Sequence, residues 1–498
     1  MRERIHRYIL GWVCLIEALF LLAPAAVALI YGEGIPFWAF AGTIAILGAI
    51  GALFCRKKPS FDALAVSDGY IIAAQAWVIM SFFGALPFYF SGAIPSFIDC
   101  LFESVSGFTT TGASILTAVE TTPMSMLFWR ALSHWVGGMG VLVFLMAVVS
   151  MAGGRSVYLL RAETTGPKID KLVPQMRLTA KALYKLYIVL TVVLLALLLA
   201  GGMPVFDSFC TAFSVAGTGG FGIKDSSIGF YQSPYLQWVI TIFMLVFGVN
   251  FNVYFLLAKK KIKEALKNEE LFVFLAVCAL AIFIIAGNIA GMYTSGEETV
   301  RTAAFQVASI VSTTGYSTVD FNLWPELSKC ILVLLMFMGS CAGSTAGGIK
   351  VIRFVILIKA SARNLRTLAN PHSVHVVRLN GRTLEEDVVN STATYFFMCI
   401  MIFAISVLLL CTGGYGLTSS FTAVAACLNN IGPGLDMFGP ASNFSAALPW
   451  HKLVLIVNML IGRLEILPML MLFSAPFRRG RSTRLRQEKG FAYGKLSL

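Results

Sequence analysis

Charge is scarce in this sequence: Asp, Glu, Lys and Arg together make up 13% of the 498 residues, and histidine occurs five times. So few charged groups do not suit the surface of a soluble domain of this length. Cysteine occurs ten times, yet no two cysteines form a CxxC pair, and HExxH, P-loop and GxSxG patterns are also missing. Zinc, nucleotide-hydrolysing and serine-hydrolase chemistry therefore have no motif to rest on. Most thiols, among them Cys14, Cys278, Cys399 and Cys411, sit inside apolar runs and read as buried free cysteines. The opening MRERIHRYIL starts with charge and enters a span of about 24 residues without an obvious small-residue cleavage site, so it reads as a retained helix.

Hydrophobic residues, by contrast, make up 57% of the chain and the mean hydropathy is +0.79. Crossing roughly 30 Å of hydrocarbon takes about 20 apolar residues, and runs of that length recur throughout. Spans are predicted near 8–31, 36–55, 69–91, 125–150, 181–201, 235–258, 271–292, 328–357, 391–411 and 450–473. Four apolar stretches, near 96–108, 204–216, 300–311 and 418–428, are too short to cross and read as re-entrant helices. The order is two introductory helices, then span, short helix, loop, span, four times over. The expected fold is an all-α polytopic membrane protein of four pseudo-repeats around a central pore. The boundaries are 1–58 for the introductory helices, 59–154, 155–260, 261–385 and 386–477 for the repeats, and 478–498 for a basic tail.

The formal net charge of +13 could suggest nucleic acid, but most of the 38 basic residues fall in segments 1–7, 56–58, 155–185, 259–267, 350–382 and 478–495. These share one side of the membrane, which the positive-inside rule makes cytoplasmic, with both termini there and anionic lipid headgroups as partners. Nucleic acid is not expected. The other face carries Glu33, Asp99, Glu103, Glu120, Asp207, Asp225, Glu297, Glu298, Asp320, Glu326 and Asp436 against Arg130, Lys224, Arg301, Lys329 and Lys452. A net negative face concentrates cations, although ordinary loop charge would look the same.

Each short helix is followed by a related loop: Thr109-Thr110-Thr111-Gly112, Gly217-Thr218-Gly219-Gly220, Ser312-Thr313-Thr314-Gly315 and Asn429-Asn430-Ile431-Gly432. A phenylalanine stands ten or eleven positions before each closing glycine, at Phe102, Phe209, Phe305 and Phe421. Irregular backbone at membrane depth must be buried in protein or line a polar cavity, because unpaired carbonyls in lipid are costly. Glycine permits torsions that turn carbonyls toward a common axis, and rings of carbonyls can replace the hydration shell of K+. The negative ends of the short helices would favour a cation there. Gly137-Gly138-Met139-Gly140 lies inside a predicted span and reads as a packing surface instead. Gly217 to Gly222 matches a GxGxxG pattern, but it follows a pore helix rather than a strand, which excludes a dinucleotide loop.

Two further features lie within the spans. Gly339-Ser340-Cys341-Ala342-Gly343-Ser344-Thr345-Ala346-Gly347-Gly348 interrupts 328–357, and at about 1 kcal/mol per glycine helix should not persist there. In the last span stands Arg463, whose burial costs about 2.5–3.5 kcal/mol. Glu465, two residues on, does not share its helix face and has no assigned role. His134, beside Trp135, reads as a packed or interfacial side chain rather than a ligand.

The four loops with their closing glycines resemble those of the Trk/Ktr/HKT superfamily of potassium transporters, over nearly the whole chain. The two extra N-terminal helices are similar to the Trk branch, the TrkH/TrkG type, more than to the shorter Ktr branch. The resemblance implies K+ as the transported ion, because glycine stands at all four filter positions, Gly112, Gly220, Gly315 and Gly432. It implies a filter of Thr110, Thr111, Gly112, Thr218, Gly219, Gly220, Thr313, Thr314, Gly315, Asn430, Ile431 and Gly432, the fourth loop departing most from the Thr-rich pattern. It also implies a gate in which Arg463 contacts the interrupted-span loop, including Gly343, Ser344, Thr345, Ala346, Gly347 and Gly348. The alternative for Arg463 is that it merely ties helices together through carbonyls. A homodimer, a cytosolic ring of NAD- or ATP-binding regulatory subunits and a bacterial inner membrane location are implied as well; any nucleotide would bind on that partner. The expected function is K+ uptake through a gated filter, without enzymatic chemistry. Coupling to H+ or Na+ is left open, and a secondary transporter of an organic solute would need paired polar anchors that the spans lack outside the Arg463 and Glu465 region.

Overall fold

The computed structural model describes residues 2–59, 66–140, 176–372, 375–464, 466 and 469. The expected tail 478–498, most of the basic loop 155–185, Glu465, and the inner ends of the spans predicted at 125–150 and 450–473 lie outside these residues.

Two long helices open the chain, α1 (Arg2–Ile30) and α2 (Gly34–Cys55). They pack closely because glycines meet bulk across the interface: a methyl group on Gly51 would lie 2.6 Å from Leu15, and one on Gly11 would lie 2.7 Å from Phe54. This is how membrane helices associate when apolar burial offers no net drive.

The element order then repeats four times. The first unit is α3 (Val66–Phe90), the short α4 (Phe97–Phe108) and α5 (Met124–Gly138). The second is α6 (Met176–Ala200), α7 (Val205–Gly217), α8 (Pro234–Gly248) and α9 (Phe251–Ala258), with the short α10 (Ile262–Ala265) behind it. The third is α11 (Glu269–Ile289), α12 (Gly296–Val311), α13 (Glu326–Phe337) and α14 (Val351–Ala369). The fourth is α15 (Glu386–Cys411), α16 (Leu417–Leu428) and α17 (Pro449–Leu464). Each loop after a short helix also carries one 3-10 turn, at Val119–Thr121, Ser227–Phe230, Phe321–Leu323 and Asp436–Phe438.

Among the described residues six helices are long and apolar enough to cross a bilayer, and a seventh crossing arises if α8 and α9 count as one. Exposed apolar side chains such as Phe283, Leu408 and Phe397 mark the faces these helices turn to lipid. The chain is a multi-pass membrane protein.

The structure corrects two of the predicted spans. The run 235–258 is not one helix: α8 and α9 meet at 92° across Val249 and Asn250. Asn250 caps α9 by accepting from the Asn252 N–H at 2.9 Å. The groups freed by the break find partners in the interrupted third repeat, where Cys341 N donates to Gly248 O at 3.1 Å and Phe251 N donates to Gly343 O at 3.0 Å. Two breaks at membrane depth thus satisfy each other. The second correction concerns Gly137-Gly138-Met139-Gly140: α5 ends at Gly138, so these residues terminate a helix instead of lying inside one. They still pack tightly, since a methyl on Gly138 would lie 2.6 Å from Gly217 Cα.

Between α14 and α15 an antiparallel hairpin pairs Arg378–Leu379 with Arg382–Thr383. Asn380 and Gly381 both have positive φ, the Asn-Gly turn that suits a twisted hairpin. The hairpin docks on the start of α11: Glu269 N donates to Asn380 Oδ1 at 2.9 Å and Asn380 N donates to Glu269 Oε1 at 3.1 Å.

Candidate ion pathway

The four short helices end in the same way. The N–H groups of Thr110, Thr218, Thr313 and Asn430 each donate three residues back, to Gly107, Val215, Ile310 and Cys427, at 3.0–3.4 Å. Those of Thr111, Gly219, Thr314 and Ile431 each donate five residues back, to Ser106, Ser214, Ser309 and Ala426, at 2.8–2.9 Å. This is a Schellman helix end, which normally places glycine at the left-handed position. Here that position holds Thr110, Thr218 and Thr313 at φ of 56°, 56° and 55°, and Asn430 at 55°. A β-branched residue at such a torsion is strained, by about 1–2 kcal/mol. Three strained threonines at equivalent places, with Asn430 at the fourth, mark a site where the side chain is wanted more than the relaxed backbone.

Two residues further on, Gly112, Gly220, Gly315 and Gly432 have φ of 78°, 73°, 82° and 102°. They form a closed ring. A methyl group on Gly112 would lie 1.9 Å from Gly219 O, one on Gly220 1.9 Å from Thr314 O, one on Gly315 2.0 Å from Ile431 O, and one on Gly432 2.8 Å from Thr111 O. Each closing glycine therefore abuts the carbonyl that precedes the closing glycine of the next loop, and the fourth returns to the first. No side chain fits at three of these contacts without opening the ring, and the torsions disfavour one at all four. The four helix C-termini converge on the same place, with their negative dipole ends toward it.

Above the ring lies an open cavity of about 170 Å³ that touches all four closing glycines, with Ser114, Arg130, Lys224 and Asp225 in its wall. At the strained positions below, Thr110 Oγ1 and Asn430 Oδ1 are buried and make no hydrogen bond. Uncharged oxygens of this kind are the donors that take over from a K+ hydration shell. The fourth loop, despite its different letters, keeps the register of the others: Asn430 Nδ2 donates to Thr111 Oγ1 and to Met459 O, both at 2.9 Å.

Beneath the ring, backbone 338–350 is non-helical between α13 and α14. It reaches the loops directly, because Gly347 N donates to Thr313 Oγ1 at 2.8 Å. Gly347 also packs against the fourth loop, where a methyl would lie 2.7 Å from Asn430 Cβ. Arg463 comes in from α17. It donates to Thr345 O at 2.7 Å, to Gly137 O at 2.5 Å and to Gly138 O at 3.0 Å. Hydrogen bonds from a charged donor contribute about 1.5–3 kcal/mol each, so three are enough to offset the insertion cost of the arginine. The carbonyls at the end of α5 are available because that helix stops at Gly138. Arg463 therefore does both things considered from the sequence: it meets the interrupted loop and ties it to the end of α5.

Two residues that hold this loop are not apparent from sequence patterning. Lys350 falls in a segment expected to be cytoplasmic, but it is 1% exposed, with Nζ donating to Ala346 O at 2.5 Å and to Gly347 O at 3.0 Å. Glu270, also buried, accepts from Ala342 N at 2.7 Å and from Ile352 N at 3.2 Å, so one carboxylate oxygen clasps both flanks of the loop. The legible signal for Lys350 is its place two residues after Gly348, before any polar run begins. Glu270 carries no such signal.

The outer face needs a matching correction. Glu103 and Arg130 do not contribute to a surface field: both are buried and pair at 2.7 Å. Asp99 pairs with Lys452 at 2.6 Å. His134 is fully buried with both ring nitrogens engaged, to Gly107 O at 2.8 Å and Phe221 N at 3.2 Å, so it is a packed residue and not an interfacial one. The phenylalanine repeat is uneven in space: Phe102 and Phe305 are buried, whereas Phe209 is exposed. All ten cysteines are free and seven are buried, Cys14, Cys278 and Cys399 among them, whereas Cys411, expected to be buried, is exposed.

Four inward loops closing on a ring of backbone oxygens, with a polar cavity above and a tethered loop below, define a pore-forming membrane transporter. Residues 38–484 match the family model TrkH, a cation transport protein, and the chain belongs to that family. Similar proteins include the Trk system potassium uptake protein TrkH of Salmonella typhimurium, 36% identical over 486 residues that cover 96% of this chain and all of the relative. The Trk system potassium uptake protein TrkG of Escherichia coli is 33% identical over 481 residues, covering 96% of this chain and 99% of the relative. The crystal structure of the potassium transporter TrkH from Vibrio parahaemolyticus superposes with a TM-score of 0.84 at 33% identity, over 95% of this chain and 98% of that one.

Proposed function

We propose that this protein takes up K+ across the bacterial inner membrane through the four-loop ring, and that the loop 339–348 with Arg463 is the gate. The observation that carries this reading is the cyclic contact of Gly112, Gly220, Gly315 and Gly432 with Gly219, Thr314, Ile431 and Thr111. At three of these contacts no side chain fits, which supports a ring lined by backbone carbonyl oxygen, the ligand K+ accepts in place of water. Thr110, Thr218, Thr313 and Asn430 would extend the coordinating column inward. Ions then move down their electrochemical gradient with no covalent step.

The gate proposal rests on contact and charge. The loop touches Thr313 from beneath, and Arg463 and Lys350 place two cations under the ring, where they oppose an approaching K+. Family membership supports a homodimer docked on a cytosolic regulatory ring that would carry any NAD or ATP. The basic segments near 1–7, 259–267 and 350–382 support cytoplasmic termini and contact with anionic lipid.

The test is uptake of radiolabelled Rb+ by proteoliposomes holding the purified chain, with K+ and Na+ as competitors. Uptake that K+ blocks and Na+ does not, increased in Arg463→Ala, supports the pathway and its gate. Absence of cation flux in both proteins would overturn it.

A further inference from the structure

Behind the ring, α4 and α5 face each other with two matched pairs at helical spacing. Glu103 and Gly107 stand four apart on α4; Arg130 and His134 stand four apart on α5. The upper pair is the buried ion pair, Arg130 Nε to Glu103 Oε1 at 2.7 Å. In the lower pair, His134 Nδ1 lies 2.8 Å from Gly107 O. The remaining donors and acceptors go to the two adjacent filter loops. Glu103 accepts from Ser114 Oγ at 3.0 Å and from Ile115 N at 2.9 Å, two and three residues past Gly112. Arg130 donates to Gly222 O at 3.2 Å, two residues past Gly220, and to Ser114 Oγ at 3.1 Å.

Phe221, immediately after Gly220, is the point where these contacts meet. Its N–H donates to His134 Nε2 at 3.2 Å, which fixes the neutral tautomer with the proton on Nδ1, donated to Gly107 O. Its carbonyl accepts from Tyr316 Oη at 3.1 Å, in the third loop, and from Ser214 Oγ at 3.3 Å. Its ring packs against His134 at 4.2 Å between centroids and lies 4.1 Å from the Arg130 guanidinium carbon. Phe221 thus ties the second loop to α5 and to the third loop.

We infer that Glu103, Arg130 and His134 are specificity-determining positioning residues: a brace that fixes the separation of the first two filter loops and so sets how well the ring fits K+ over Na+. The inference rests on the transport reading above and deepens it. A buried ion pair is weak evidence for stability, since a well-packed apolar pair of the same volume often does as well. What it supplies is direction. Arginine's planar fork reaches Glu103, Ser114 and Gly222 from one rigid group, which a lysine point charge cannot do. Smaller ions demand that coordinating oxygens move inward, and a backbone held from behind at both loops resists that movement.

The experiment compares wild type, Glu103→Gln, Arg130→Lys and His134→Gln as full-length proteins in proteoliposomes, reading Rb+ uptake against rising Na+ together with the melting temperature of each protein. Arg130→Lys keeps the charge opposite Glu103 and so guards against a variant that fails to fold. The brace predicts a fall of about tenfold in the preference for Rb+ over Na+ in folded Arg130→Lys and Glu103→Gln, equivalent to ~1.4 kcal/mol. Folded variants that lose total flux or melting temperature but keep the wild-type preference would overturn the inference and leave the transport reading intact. Wild-type protein that carries no Rb+ would overturn the transport reading, and the brace with it.

Discussion

The N–H of Gly347 donates to the hydroxyl of Thr313 at 2.8 Å, which joins the interrupted span to the third filter loop by a direct hydrogen bond. Both groups are buried, and Thr313 holds a left-handed backbone to offer that oxygen. Thr313→Val keeps the side-chain shape and removes the acceptor, leaving a buried N–H unpaired at a cost of about 1–3 kcal/mol. The expected outcome is a looser gate: higher basal Rb+ flux with a lower melting temperature, measured on the same purified protein.

Lys350 bonds to two carbonyls of the same loop, Ala346 O and Gly347 O. Lys350→Met retains the length of the stem while deleting the donors and the charge beneath the ring. Basal Rb+ flux should rise by at least the factor of about five that ~1 kcal/mol represents. Flux equal to wild type would show that this lysine only packs.

Thr110 is strained at φ 56°, and its hydroxyl makes no hydrogen bond in the protein. Thr110→Gly relieves about 1–2 kcal/mol of torsional cost and adds about 0.5–1 kcal/mol of chain entropy, so stability should stay within about 1 kcal/mol of wild type. The thermal stabilisation given by K+ should fall nonetheless. Melting curves in K+ and in Na+ measure both effects together.

Glu33 serves as a contrast. Its carboxylate accepts from Met124 N at 2.6 Å and Ser125 N at 3.1 Å, and from the Ser125 hydroxyl, so it caps the first turn of α5 from outside the helix. Glu33→Ala should cost about 1 kcal/mol and lower the melting temperature, with Rb+ over Na+ preference unchanged.

The repeat and its loops were legible because four equivalent glycine-closed motifs follow four short apolar runs, and each letter has a backbone reason. The break at 339–348 was legible from its small residues, and Arg463 from the cost of its charge. What escaped was pairing at a distance. The run 235–258 is uniformly apolar, and its 92° bend at Val249 and Asn250 follows from partners at Cys341 and Gly343 that no local pattern announces. Glu103 and Arg130 looked like loop charges because they stand near the membrane edge in sequence, 27 residues apart. Their pairing depends on how α4 and α5 face each other. Lys350 was grouped with the basic residues after it, although its ammonium turns back onto its own loop. The Asn-Gly turn at 380–381 was readable but short, and it was absorbed into a basic segment.

The most direct test of the ring is Gly315→Ser. The added Cβ would fall 2.0 Å from Ile431 O at a φ of 82°, so the third and fourth loops must part. The measurement is Rb+ uptake into proteoliposomes with Na+ as competitor, wild type beside the variant. The expected result is Rb+ uptake that Na+ barely affects in wild type and that Na+ suppresses in Gly315→Ser. Equal flux and equal selectivity in the two proteins would contradict a carbonyl ring at these glycines.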